Sequence, residues 1–278
     1  MELGIEFVKG HGTENDFVLL PDPTGTLDLT PSRVRALCNR HRGLGADGVL
    51  RVIPGALVPD PPPGTSPGDW FMDYRNADGS VAELCGNGVR VFARYLTEAG
   101  LVAATEFPVG SRSGPRQVRC NSDGTVTVEM GRVRCNGTST VTVEGTAFTG
   151  LVVDVGNPHL ACLTELPVEQ LDLTLPPGHD PGNFPHGVNV EFINVLPAGE
   201  LRMRVHERGV GETRSCGTGT VAALAAALDA WDRTTGAADV EVPGGRLHVA
   251  IDADGSRLTG PAVLVARGRL TFDWWSSH

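Results

Sequence analysis

Apolar positions along this chain fall in short runs more often than in long amphipathic ones. Gln117–Cys120, Thr125–Met130, Leu151–Val155, Val188–Val195, Leu201–His206, Val240–Val242 and Leu247–Ile251 are β-branched or alternate apolar with polar residues, and Gly, Asp or Pro bounds several of them. Alternation with period two between turn formers predicts strands. Three segments carry a helical pattern instead. Thr30–Cys38 offers Thr30 as N-cap and Pro31 at the first helical position, where its missing N–H costs nothing. A second helix is predicted from Gly86 to Ala99, stopping at Gly100, a natural C′ residue. A third runs from Gly217 to Trp231. Pro54–Asp69, with Pro59, Pro61, Pro62, Pro63 and Pro67, is loop by composition. It is expected to be an exposed, mobile insertion without a fixed fold.

The last two helices open in the same way. Cys85-Gly86-Asn87-Gly88 precedes one and Cys216-Gly217-Thr218-Gly219 the other, an offset of 216 − 85, or 131. Asn76 and Glu207, each nine residues before its cysteine, keep the same offset. Upstream, Asn15 in Gly12–Phe17 matches Asn157 in Val155–Leu160 at 142, and Gly48 matches Asn189 at 141. The drop to 131 fits a surplus in the first half, where the Pro54–Asp69 loop lies. A single Cys-Gly-x-Gly is weak evidence in a chain with 36 glycines. Two, each opening a helix with matched upstream spacing, indicate two copies of one β-rich domain with a central helix.

Composition narrows the class. The 278 residues suit two domains or one large one, and 40% hydrophobic content excludes global disorder. A net charge of −10 argues against nucleic acid and anionic membranes as partners. No apolar run reaches the roughly 18 residues of a spanning helix. The acidic start lacks the basic residues of a signal peptide, so a cytoplasmic protein is expected. Lys9 is the single lysine among 23 basic residues, which leaves pyridoxal phosphate one anchor. The cysteines, Cys38, Cys85, Cys120, Cys135, Cys162 and Cys216, form no C-x-x-C pair. The histidines show no ligand spacing, so no metal is assigned.

A cysteine at a helix start lies beside unpaired N–H groups and the positive end of the dipole, which stabilises its thiolate. The glycines leave amides open to an anion such as a carboxylate. Two such thiols on pseudo-symmetric halves suit inversion of a stereocentre. One removes the proton as thiolate and the other delivers one as thiol, across a shared cleft. The near-absence of lysine agrees with chemistry that uses no cofactor.

Tyr74–Ser80 running on to Cys85-Gly86-Asn87-Gly88 closely resembles the diaminopimelate epimerase family. So do Gly156–His159, Glu207–Thr213 running into Cys216-Gly217-Thr218-Gly219, His11–Phe17 and Leu258–Ala262. The matches span nearly the whole chain. The resemblance implies an epimerase, free of any cofactor, that interconverts LL- and meso-2,6-diaminopimelate on the route to lysine and peptidoglycan precursors. It implies an α+β fold of two pseudo-symmetric domains, each a β-barrel-like sheet around a central helix. The first domain, 1–130, takes back 262–278, and the second is 131–261. Carried across, Cys85 and Cys216 are the acid/base pair, and His159 and Glu207 tune the thiols. Gly86, Asn87, Gly217 and Thr218 hold the reacting carboxylate. Asn15, Asn76, Asn157, Asn189, Glu207 and Arg208 bind the substrate's other polar groups. Arg208 suits a carboxylate as a planar fork. A homodimer is allowed but not fixed, because Ala266 stands where many relatives have a tyrosine at the dimer contact. Gly48 replaces a glutamine that contacts substrate in many relatives.

Two rival functions remain at this point. A proline or hydroxyproline racemase of the same type tends to carry histidine after the first Cys-Gly, where this chain has Asn87. A thiol redox switch or binding module could use the same cysteine pair. The other cysteines read as structural, with Cys38 a packed core thiol, and Trp274 and Trp275 read as core.

Overall fold

The computed structural model describes Gly4–His278. It divides into two compact units, one running up to Val128 and adding Pro261–His278, the other comprising Glu129–Gly260.

In the first unit the strands are β1 (Ile5–Gly12), β2 (Asn15–Pro21), β3 (Gly48–Pro54), β4 (Trp70–Asn76), β5 (Glu106–Gly110), β6 (Arg116–Cys120) and β7 (Thr125–Gly131). β1 and β2 form an antiparallel hairpin, β2 lies parallel to β3, β3 is antiparallel to β4, and β4 is parallel to β5. Antiparallel pairs complete β5–β6–β7. A parallel pair needs a crossover. The helices α1 (Pro31–Cys38) and α2 (Gly86–Glu98) supply the two required.

The second unit has β8 (Arg134–Val143), β9 (Thr146–Asp154), β10 (Pro158–Leu163), β11 (Gly178–His179), β12 (Asn189–Val195), β13 (Leu201–Glu207) and β14 (Gly211–Thr213). After α3 (Gly217–Ala230) come β15 (Gly236–Val242), β16 (Gly245–Ile251) and β17 (Ser256–Pro261). The same alternation returns: β9 antiparallel to β10, β10 parallel to β12, β12 antiparallel to β13, β13 parallel to β15, then β15–β16–β17 antiparallel. Finally β18 (Val263–Leu270) runs antiparallel to β1, from His11 against Val263 to Ile5 against Leu270. It occupies on β1 the place that β8 occupies on β9.

The ladders fix the equivalence of the halves residue by residue. Phe17 pairs with Gly48, and 142 and 141 residues later His159 pairs with Asn189. Gly48 pairs with Asn76; Val190 pairs with His206, which puts Asn189 and Glu207 on the next rung. The ten-residue surplus falls between β3 and β4. There Pro54–Asp69 departs from the expected loop without a fixed fold. It carries a 3-10 turn at Gly55–Leu57, and its ends are tied by Gly55 N–H to Asp69 O (2.7 Å) and Ala56 N–H to Pro67 O (3.2 Å). Backbone amides near its base find partners within the loop, although most of its side chains are exposed as expected.

Each sheet packs around its own helix. α2 lies against β1, β2, β3, β4, β6 and β18, and α3 against β9, β10, β12, β13, β15 and β16. α3 is apolar on all sides and is buried from Gly219 to Leu228, as a helix without a polar face must be. Val221, Leu224 and Leu228 each contribute about 1.5–3 kcal/mol by leaving water. A short α4 (Phe272–Ser276) went unpredicted. It sets Trp275 into the core beside Val34 and Leu37 of α1, with the Arg33 guanidinium 4.8 Å from the Trp275 ring centre.

Candidate active site

Cys85 and Cys216 are the N-cap residues of α2 and α3, with nearly the same extended backbone (φ −141°, ψ 113° and φ −125°, ψ 118°). Each sulfur accepts an N–H from the first free turn, Gly88 for Cys85 and Gly219 for Cys216, both at 3.4 Å. Sulfur thus fills the position that a Ser or Asp oxygen takes at an ordinary helix start.

In the first unit the Cys85 thiol donates to Asn15 Oδ1 (3.5 Å), which also accepts from Asn87 Nδ2 (3.2 Å). Asn15 is held from behind by its Nδ2 on Asp47 Oδ2 (2.8 Å). Asp47 and Asp16 share Arg40, and Asp16 also pairs with Lys9 at 2.5 Å. Arg40 and Lys9 lower the Asp16 carboxyl against the opposing effect of its burial. Asn76 turns to Ser80 Oγ (3.0 Å) at the end of β4. The space a side chain at Gly48 would need is filled, because a Cβ there would lie 2.7 Å from the Tyr74 ring. Beneath the helix start lie Leu50 and Phe17, the nearest side chains to Gly88 apart from Cys85 itself. Arg90, on α2, is wholly buried and bonds Thr13 Oγ1 (3.1 Å) and the Pro261 carbonyl (3.2 Å), while its Nη1 finds no partner among the described residues. Burial lowers its guanidinium to about 10, and Cys85 is the acidic group that supports its charge.

In the second unit the interior is acidic. His159 and Glu191 are 0% exposed and meet at 2.6 Å, Nδ1 to Oε1. His159 Nε2 lies 3.0 Å from Asn157 Oδ1, Asn157 Nδ2 donates to Thr218 Oγ1 (3.4 Å), and Thr218 Oγ1 is 3.5 Å from Cys216 Sγ. Glu207 accepts from the Thr213 hydroxyl at 2.5 Å. Asn189 gives its Nδ2 to the Pro158 carbonyl (3.3 Å) and takes the Arg208 backbone N–H (2.9 Å). Among the described residues the exposed Arg208 guanidinium reaches the His186 carbonyl (3.4 Å) and no carboxylate, which leaves its fork available to one.

Burial pushes the Cys216 thiol well above its ordinary value, and Glu207 and Glu191 push it further. Thr218 and the Gly219 amide oppose the rise. The lowering expected of a helix start is therefore outweighed here by a closed, carboxylate-lined surrounding. Burial raises the Glu207 carboxyl as well, against its bonds to Thr213 and Cys216.

Gly86, Asn87 and Gly217 are buried at the helix starts, and Thr218 is half-buried. Sequence reasoning passed over Glu191, Asp47, Thr213 and Arg90. Glu191 did leave a signal: it is an acid inside the apolar run Val188–Val195. Cys38 and Cys162 are packed thiols that burial pushes up to about 12. Cys135, expected to be structural, is exposed on β8. A cavity of about 520 Å³ opens beside Asn157, lined also by Asn136, Asp154 and Phe184; neither Cys85 nor Cys216 lines it. Among the described residues no group of acidic, His and Cys side chains could hold a metal, and no helix is long and apolar enough to cross a membrane.

Known proteins supply an independent comparison. The chain is similar to a solved PhzF-family phenazine biosynthesis protein of Bacillus anthracis, with a TM-score of 0.72 at 14% identity over 96% of this chain and 99% of that one. It is also similar to a hydroxyproline epimerase of Agrobacterium vitis, with a TM-score of 0.67 at 16% identity over 98% and 94%. At such identities these likenesses establish the fold. In sequence it is 57% identical over 286 residues to a diaminopimelate epimerase of Rhodococcus jostii, covering 98% of this chain and 99% of the relative. The family model for diaminopimelate epimerase matches residues 7–135 and 151–269. The chain belongs to the diaminopimelate epimerase family.

Proposed function

We propose that this protein interconverts LL- and meso-2,6-diaminopimelate by a two-base reaction of Cys85 and Cys216. The reading is carried by one observation, two cysteine-capped helix starts in a chain of this family. In the reaction one thiolate takes the α-proton from one face of the carbon. The other cysteine, as thiol, gives its proton to the opposite face, and the roles exchange in the reverse direction. The amides of Gly86, Asn87, Gly217 and Thr218 hold the α-carboxylate and the charge that builds on it. Asn15 and Asn87 orient the Cys85 sulfur, and Glu207 and His159 adjust Cys216. Arg208, Asn76, Asn157 and Asn189 receive the distal amino acid end. That polar set favours diaminopimelate over proline, which has no second amino acid end to bind. Chemistry without pyridoxal phosphate is supported by Lys9, which is engaged by Asp16 and the Gly45 carbonyl. The reading goes with a cytoplasmic homodimer formed from two units per chain, split near Met130 and Pro261.

Cys85→Ala and Cys216→Ala are each expected to lower epimerisation of diaminopimelate by about 10²–10⁴-fold, the usual share of a general acid or base. Near-normal turnover in either variant sinks the proposal. Wild-type protein in deuterium oxide should place deuterium at the α-carbon of the product.

A further inference from the structure

We infer that Glu191 is a positioning residue for Cys216: it holds His159 as a donor at both ring nitrogens and so aligns a hydrogen-bond chain whose last member, the Thr218 hydroxyl, donates to the Cys216 sulfur. The inference deepens the proposed reaction and rests on it for its purpose.

The geometry carries the direction of each bond. Glu191 Oε1 sits 2.6 Å from His159 Nδ1, a short, close contact with both side chains out of water. Asn157 turns its carbonyl oxygen to His159 Nε2 (3.0 Å), so that nitrogen must donate too. The amide nitrogen of Asn157 then donates to Thr218 Oγ1 (3.4 Å). A hydroxyl whose oxygen accepts there keeps its own proton for the Cys216 sulfur, 3.5 Å away. From His159 Nε2 onward each donor points toward Cys216, while Nδ1 donates back to Glu191. The groups acting on the Cys216 sulfur are Glu207 at the end of β13 and Glu191 on β12, with the Thr218 hydroxyl and the Gly219 amide, while His159 on β10 acts on Glu207. At the equivalent positions of the first unit stand Leu50 and Phe17, so the fold does not require an ion pair there.

Two effects of Glu191 have opposite signs, which makes them separable. As a bare buried charge it would oppose the Cys216 thiolate, and its removal would ease ionisation. As the anchor of the chain it favours the thiolate. Without it His159 Nδ1 loses its acceptor and the ring its anchor, Asn157 is free to turn over, and Thr218 donates to Asn157 instead.

The test is the pH dependence of Cys216 alkylation by iodoacetamide in the full chain, followed by mass spectrometry of the Cys216 peptide. Glu191→Gln is expected to raise the midpoint by about one pH unit, the loss of one hydrogen bond to a charged sulfur. Thr218→Val should give the same rise, and Glu191→Gln should add little to it in the double variant. If Glu191→Gln does not fold, His159→Phe with Glu191→Leu copies the first unit's apolar pair and should show the same rise. A midpoint that falls or stays in place, or full additivity of Glu191→Gln with Thr218→Val, overturns the inference. A rise in a protein that leaves diaminopimelate unchanged keeps the inference and removes the proposed reaction instead.

Discussion

The same fold surrounds Cys85 and Cys216, yet the interiors behind them hold different charged groups. In the first unit a buried cation, Arg90, lies on α2, and the strands below offer Leu50 and Phe17. In the second unit the position of Arg90 is taken by Val221, and the strands offer Glu191 and His159. The helix cap, its two glycines and the ladder register are shared; the charge is not. Position and protonation are thus set by different parts of the sequence. The Cys-Gly-x-Gly start places the sulfur. For Cys216, burial and the carboxylates of Glu207 on β13 and Glu191 on β12 make the surroundings favour the thiol. Two sulfurs in matched places with unmatched surroundings suit a reaction in which one must be thiolate while the other is thiol.

Three measurements press on this contrast. The largest effect is expected from alanine at the third helix position. At Gly219 a Cβ would stand 2.6 Å from Glu191 Oε1, whereas at Gly88 it would stand 3.3 Å from Leu50 Cδ2. Gly219→Ala is expected to destabilise by about 2 kcal/mol in urea and Gly88→Ala by less than about 1 kcal/mol, since only the first forces atoms into a fixed, buried carboxylate. Equal losses would mean that the two helix starts rest on equivalent floors. Next comes thiol reactivity. Cys216 is 6% exposed and its thiol is pushed up, whereas Cys85 is half-buried. Alkylation at pH 8 without ligand should reach Cys85 about tenfold sooner. The smallest effect should be the same in both units. Cys38 and Cys162 ionise near 9.0 when unfolded and near 12 when folded. Their raised values contribute stability that is full below 9.0 and is lost as pH rises toward 12. At pH 9.5 each should already cost about 0.8 kcal/mol relative to neutral pH, and Cys38→Ala or Cys162→Ala should flatten that slope.

Much of this arrangement was legible before any coordinates. The three long helices and both caps follow from local signals, namely Thr30-Pro31, the two Cys-Gly-x-Gly starts, and Gly100 with its φ of +69°. The strands were less legible. β2 and β3 are buried along most of their length, so they show no alternation to read. β8 is exposed along its first half and looks like polar loop. The membership of the site followed from motif and repeat, but its electrostatics did not. The contact of His159 with Glu191 joins neighbouring parallel strands, and only the ladder register reveals that both face the start of α3. The tie of Asn15 to Asp47 was hidden for the same reason. A charge inside an apolar strand is the one sequence signal that points to such a pair.

β18 gives the first unit a timing problem during synthesis. The partner of β1, among the earliest strands, is the last strand of the chain. While the polypeptide emerges from the ribosome, β1 has one edge uncovered until Val263–Leu270 is made, long after β2 to β7 are available. The second unit, by contrast, is continuous in sequence and has all its strands before β18 appears. Domains fold as units as they emerge, and long-range strand pairing is slow. The half carrying Cys216 is therefore complete first, and the half carrying Cys85 waits with an open sheet edge, the place where a nascent chain is most exposed to mispairing and to chaperones.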